Sequence, residues 1–213
     1  ARSADGGFTW VQTAINKPVS ALAVDHHGRF YAALMRVEVV GRGAFHPTGD
    51  GIWSSGDLGL TWERTAFRGR VVTSLATEGD EIYACVLGSG VYRGHPGHFR
   101  RVLKTASIAS AAVSERGVFV ALQGQGGIET SKGIRYSHDG GKTWRRAGGI
   151  AGGRVLAVAS YKDTDLAFAD NGVYLRSYEG SWLKASSIRT HQAVEVQNRG
   201  VVYFDQSGLY VWR

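Results

Sequence analysis

Short apolar runs of four to six residues, separated by turns rich in Gly and Asp, follow one another along the whole chain. No segment sustains the 3.6-residue period of an amphipathic helix, so the pattern predicts strands and almost no helix. A Gly followed by apolar or aromatic residues recurs at Gly51-Ile52-Trp53, Gly90-Val91-Tyr92, Gly133-Ile134-Arg135-Tyr136, Gly172-Val173-Tyr174 and Gly208-Leu209-Tyr210. The steps between these glycines are 39, 43, 39 and 36 residues. A repeat of that length made of short strands is the mark of a β-propeller blade.

Each repeat supplies the strands a blade needs. The first is apolar with small side chains (Val19–Val24, Val72–Ala76, Ile108–Val113, Arg154–Ala159, His191–Val196), as strands crowded around a central channel require. The second is bulkier (Phe30–Leu34, Ile82–Val86, Val118–Leu122, Leu166–Ala169, Val201–Phe204), and the third carries the recurring Gly. The last repeat ends after three strands, whereas Thr9–Thr13 reads as an orphan fourth strand at the start. The expectation is an all-β protein with one β-propeller domain over residues 1–213, of five four-stranded blades. Its ring would be closed by the N-terminal strand completing the C-terminal blade, which removes exposed sheet edges.

A second motif sits between third and fourth strands. Ser137-His138-Asp139-Gly140-Gly141-Lys142-Thr143-Trp144 reads S-x-D-G-G-x-T-W; Ser55–Trp62 and Ser3–Trp10 are further copies, and Ser177–Trp182 is a shortened one. Ser and Asp side chains accept hydrogen bonds from nearby backbone N–H groups and pin a hairpin. Gly reaches positive φ, and Trp buries a large apolar area. Asp5, Asp57 and Asp139 with Trp10, Trp62, Trp144 and Trp182 therefore read as structural. One carboxylate per loop is too few oxygen ligands for calcium.

These copies resemble the Asp-box, or bacterial neuraminidase, repeats of sialidases, sortilin-type receptors, some xyloglucan hydrolases and photosystem II assembly factors. The resemblance implies a propeller but no single activity, because the family mixes hydrolases, receptors and scaffolds. It also implies a secreted or periplasmic location. Family members commonly have six or seven blades, where this chain has length for five.

Composition adds a charge argument. Formal net charge is +7 and there are 30 glycines, about twice the ordinary share. No apolar run approaches the roughly 18 residues that span a bilayer, and no signal peptide is legible. Cys85, the single cysteine, lies in an apolar run and reads as a buried, inert thiol. In the expected topology, box hairpins and first-to-second-strand turns share a bottom face that collects acids. The blade-to-blade loops on the top carry Lys17, Arg68, Arg70, Lys104, Arg154 and Arg189, with His191 beside the last. Two insertions, Arg36–Asp50 and Gln123–Lys132, also belong to the top, and the first offers Arg42, Phe45 and His46. Arg42, His46, Arg68, Arg70, Arg154, Arg189 and His191 are thus the candidate ligand-binding residues, suited to a carboxylate, sulfate or phosphate.

Catalytic chemistry is harder to assemble. A glycosidase needs two carboxylates about 5–10 Å apart. The candidates are Asp170, Glu195 and Asp205, with Asp50 and Glu129 beside turns. The Phe/Tyr-Arg-Ile-Pro segment of many sialidases is absent, as are nucleotide loops and Ser or Cys nucleophile motifs. His26 and His27 are adjacent, and two adjacent histidines alone do not make a zinc site, so neither metal nor cofactor is expected. The basic residues ring a mouth instead of forming a stripe with interleaved aromatics, which disfavours nucleic acid. The leading expectation is a non-catalytic binding or scaffold propeller for an acidic protein surface or anionic glycan. The alternative is a sialidase-like hydrolase or lyase acting on an anionic sugar.

Overall fold

The alternating apolar runs become nineteen strands among the described residues. The computed structural model describes the backbone except at residues 4, 6, 42–43, 107–109, 124–132, 149, 151–153, 162–163, 188–191, 197–199, 205–208 and 213; side chains at 37, 39, 40, 44, 45 and 47 and in 192–196, 200–204 and 209–212 also lie outside the description. The first sheet holds β1 (Val19–Val24), β2 (Phe30–Val40), β3 (Ala44–Ser55) and β4 (Glu63–Ala66). The second holds β5 (Val72–Glu78), β6 (Glu81–Val86), β7 (Gly90–His95) and β8 (His98–Leu103). The third holds β9 (Ser110–Ser114), β10 (Gly117–Leu122), β11 (Gly133–Ser137) and β12 (Arg145–Arg146); the fourth holds β13 (Val155–Tyr161), β14 (Thr164–Ala169), β15 (Gly172–Arg176) and β16 (Trp182–Ser186). Each is an antiparallel meander in chain order. β17 (Gln192–Val196), β18 (Gly200–Phe204) and β19 (Leu209–Trp212) form a sheet of three.

The expectation of five four-stranded blades is therefore corrected: four sheets have four strands and the fifth has three. Among the described residues, the N-terminal segment pairs with itself, Arg2 and Val11 exchanging backbone hydrogen bonds of 2.8 Å, and not with β19. Thr13 of this segment lies against the first sheet's box, 3.4 Å from where a Cβ on Gly59 would stand, the place Val102 of β8 takes in the third sheet's box, while Trp10 stays 64% exposed.

The recurring Gly has a packing cause. β3, β7 and β15 each slip register against the outermost strand just after it, between Ile52 and Trp53, Val91 and Tyr92, and Val173 and Tyr174. The slip drives a carbonyl of that strand onto the Gly. A Cβ at Gly51, Gly90 or Gly172 would lie 2.2, 2.0 or 2.1 Å from the carbonyl oxygen of Ala66, Leu103 or Ser186. All three also have positive φ, which side chains resist. The Arg36–Asp50 insertion, expected as a loop, is a continuation of β2 and β3 as a paired ribbon with Glu38 opposite His46. The β-branched residues of Val37-Glu38-Val39-Val40 account for its extended form. The Gln123–Lys132 insertion lies almost wholly outside the described residues.

Neighbouring sheets meet along their inner strands, β1 beside β5, β5 beside β9, β9 beside β13, and β13 beside β17. Serines bridge three of these seams. Ser20 Oγ donates to the Val72 carbonyl (2.7 Å), the Ala111 N–H donates to Ser74 Oγ (3.0 Å), and the Val158 N–H donates to Ser110 Oγ (2.6 Å). Their small size lets the strands approach, and their hydroxyls satisfy backbone groups that no ladder pairs. Buried aromatic and aliphatic side chains fill the remainder, with Tyr83, Phe119, Phe168 and Ile52 among the largest. Cys85 is fully buried, and burial pushes its thiol far up, leaving it inert.

The box hairpins share one geometry. In Ser55–Trp62, Ser55 Oγ donates to Asp57 (2.7 Å) and accepts from the Gly59 N–H (2.8 Å). Asp57 accepts from the Thr61 N–H (2.9 Å) and hydroxyl (2.5 Å), and Trp62 Nε1 donates to the Gly59 carbonyl (3.0 Å). Ser137–Trp144 and Ser3–Trp10 repeat this pattern. The third sheet's hairpin also grips its neighbour: Trp144 Nε1 donates to the Val102 carbonyl of β8 (2.9 Å), and a Cβ at Gly141 would lie 2.8 Å from Val102.

The serine seams and the box hairpins can each be tested by substitution. Replacing Ser110 by Ala leaves the buried Val158 N–H without its partner and costs roughly 1–3 kcal/mol, read as a lower urea midpoint; an unchanged midpoint would show that the seam does not depend on the serine. The three box aspartates are held well below the usual carboxylate range, first by the Thr hydroxyl, then by the Thr N–H and the Ser hydroxyl. A depressed folded pKa contributes stability in full above the unfolded value of about 3.9 and loses it below. Melting temperature should fall steeply below about pH 4, and D57N/D139N should flatten that acid limb.

Candidate functional site

Of the sequence-predicted ligand-binding residues, the structure describes His46, Arg68, Arg70 and Arg154. Phe67, after β4, takes φ of 55°, a region non-Gly residues seldom enter. Its ring packs on Tyr92 (5.0 Å) and Phe99 (4.9 Å), which fixes the turn that follows. That turn projects Arg68 and Arg70 into solvent, closed by the Arg70 N–H on the Phe67 carbonyl (3.0 Å). Arg70 also donates to Ser89 Oγ (3.2 Å) on the second sheet. Arg154 is exposed two seams away, 3.8 Å from Asp170, whose carboxylate accepts the Arg154 N–H (2.8 Å). His46 is exposed on the β2–β3 ribbon. Arg42, Arg189, His191 and Asp205 lie outside the described residues, and Glu195 is described only by its backbone place in β17, opposite Val201.

Two described top-face acids, Asp50 and Asp170, have cationic partners. Asp50, 5% exposed, accepts from Lys17 (2.5 Å) and Arg64 (3.3 Å), with Arg36 at 3.9 Å. The Lys17 hydrogen bond, above all, lowers the Asp50 pKa against the opposing effect of burial. Lys17 and Arg64 also stand over the Trp53 ring, at 5.3 and 5.7 Å. An aspartate held ionised in this way cannot serve as a proton donor near neutrality. Asp170, the described member of the conditional catalytic set, is engaged by Arg154.

At one seam the bottom face gathers cations instead of acids. Between the third and fourth sheets lies a cleft of about 440 Å³, lined by Arg116, Tyr136, His138, Arg146, Arg176 and Tyr178, with Glu179 as its acid. Arg116 comes from the β9–β10 turn, His138 from the box hairpin, Arg146 from β12, and Tyr178 and Glu179 from the β15–β16 hairpin. His138 Nδ1–H donates to the Arg116 carbonyl, which joins turn to hairpin. Arg176 forms the floor. Its buried side chain is 3.5 Å from the buried Asp165 carboxylate and lies over the Phe119 (4.7 Å) and Tyr136 (5.3 Å) rings. Arg176 Nε has no hydrogen-bond partner among the described atoms. Trp182 packs edge-on against Phe119 (6.2 Å) behind it.

The sequence reading missed this cleft because Arg116 and Arg176 stand singly among turn acids. The available signal was Arg176 immediately before a box serine, a place held by Ser54 and Tyr136 in the two full boxes that follow a third strand. A further grouping, His26 and His27 with Asp80, brings three metal-competent side chains together on the bottom face, although no metal site is expected from sequence.

No family model and no curated protein matches the chain. Solved structures do. A gluconolactonase from Xanthomonas campestris aligns with a TM-score of 0.60 at 14% identity, over 85% of this chain and 67% of that one. YCF48 from Cyanidioschyzon merolae aligns at 0.57 and 15%, over 91% and 65%. YCF48 bound to D1 peptide aligns at 0.59 and 12%, over 98% and 85%. This chain thus spans about two thirds of the first two proteins' lengths. The set includes binding proteins and an enzyme, and at these identities the likeness is one of fold: the chain is built as a β-propeller.

Proposed function

We propose that this protein is a non-catalytic binding propeller of the Asp-box kind that holds an acidic partner. The observation that carries the proposal is the charge imbalance of the cleft between the third and fourth sheets. Arg116 and Arg146 stand on its walls with one acid, Glu179; Arg176 in the floor is paired with the buried Asp165, and two tyrosines supply flat apolar surface. Arginine binds carboxylates in bidentate fashion, and a concave cationic surface concentrates anions. The fold likeness to a YCF48 bound to a peptide supports a protein segment as partner. The exposed Arg68 and Arg70 on the opposite face give a second basic surface, which a larger acidic partner or an anionic glycan could also engage. An extracytoplasmic setting goes with the Asp-box resemblance. The hydrolase alternative is less well supported, because Asp50 and Asp170 are each occupied by cations.

A Glu-rich peptide and a polyuronate, titrated in turn against the full chain, test the proposal. R116E/R146E should weaken peptide binding roughly tenfold or more, about 1.4 kcal/mol, and the remaining affinity should depend less on salt. R68E/R70E should have a smaller effect. Dependence on Arg68 and Arg70 alone would move the site to the top face; failure of both probes to bind would overturn the acidic-partner reading. Turnover of the polyuronate, lost in D170N, would favour the hydrolase.

A further inference from the structure

Two bottom turns bring imidazole and carboxylate groups together across the seam between the first and second sheets. His26 and His27 stand in the β1–β2 turn, and Asp80 sits at the tip of the β5–β6 hairpin. His27 Nε2 is 3.1 Å and His26 Nε2 is 3.7 Å from Asp80 Oδ1. One ligating atom from each residue lies within 4.8 Å of the others. Zinc–nitrogen and zinc–oxygen bonds of about 2.0–2.2 Å place tetrahedral ligand atoms roughly 3.3 Å apart, so little movement is needed to close them on an ion.

The turns that present these groups are constrained. Asp25 is buried, and its carboxylate accepts from the His27 N–H (3.0 Å), the Arg29 N–H (2.9 Å) and the Tyr31 hydroxyl (3.0 Å). The Gly28 N–H closes the turn on the Asp25 carbonyl (3.0 Å). Asp80 lies in the two-residue connection between the paired residues Glu78 and Glu81. The strands leading into the two turns are joined by Thr77 Oγ1 donating to the Val24 carbonyl (2.8 Å). The imidazole centroids are only 3.7 Å apart. That proximity sets two imidazole nitrogens side by side, and the neutral imidazole is the form that ligates metal.

We propose that His26, His27 and Asp80 form a site for a divalent transition metal of the zinc class, clipping the first sheet to the second. Two nitrogens and one carboxylate oxygen suit zinc, and an open position remains for water or an external ligand. The test is titration of the metal-free full chain with zinc at about pH 7.5, where histidine is ordinarily neutral, with melting temperature read in parallel. One equivalent should bind and raise the melting temperature by several degrees. H26A, H27A and D80N should each weaken binding roughly tenfold or more, with unchanged circular dichroism in the absence of zinc. H95A/H98A, removing another exposed pair with ring centroids 5.1 Å apart, should leave binding intact. Absence of zinc binding, its survival in H27A and D80N, or its loss in H95A/H98A instead would overturn the proposal.

Discussion

Sheets that radiate from a common centre cannot hydrogen-bond to one another as strands do within a sheet, and side chains must supply what holds them together. Here three serines on the inner strands take that part, each satisfying a backbone group of the next sheet. On the bottom face, Arg93 of the second sheet donates to the Gly140 carbonyl of the third sheet's box (2.9 Å), while pairing with Glu81 and lying 5.5 Å from the Tyr83 ring. Arg176 of the fourth sheet reaches back to the aromatic rings of the third. The third sheet is thus clasped from both sides by arginines, each lying over an aromatic ring and paired with an acid of its own sheet.

The same constraint shapes the candidate sites. The cleft between the third and fourth sheets opens where Arg176 is drawn down beside Asp165, leaving the outer Arg116 and Arg146 on its walls. The His26, His27 and Asp80 grouping lies at another seam, where Thr77 ties the strands that lead into the turns. On the top face Asp50 gathers Lys17, Arg36 and Arg64 within the first sheet, and Phe67 packs across the seam on Tyr92 and Phe99 of the second. Cation excess remains where no acid from a neighbouring strand reaches, a property of seams more than of single loops.

Strand content and blade succession were legible because they depend on local periodicity: the small first strands, bulky second strands and box hairpins recur where the repeat places them. The recurring Gly was visible as a signal, but its cause was not, since the colliding carbonyl belongs to a strand more than ten residues away. The first insertion's form was misread because a loop and an extended ribbon differ only in whether Glu38 meets His46. A complete fifth blade followed from counting strands, whereas among the described residues the fifth sheet has three and the N-terminal segment carries a backbone bridge between Arg2 and Val11.

The sequence by itself determined the all-β class, the order of the blades and the structural work of Asp5, Asp57 and Asp139, because all of these rest on contacts within a few residues. Tertiary structure alone decided which charges are spent and which are left over. Asp50 and Asp165 look like ordinary turn acids until the cations that surround them are known. Arg116 and Arg146 look like scattered surface charges until two sheets bring them to one cleft, and His26 and His27 gain a third partner only through the turn of the next sheet. Electrostatic interactions act through space, and spacing along the chain does not reveal them.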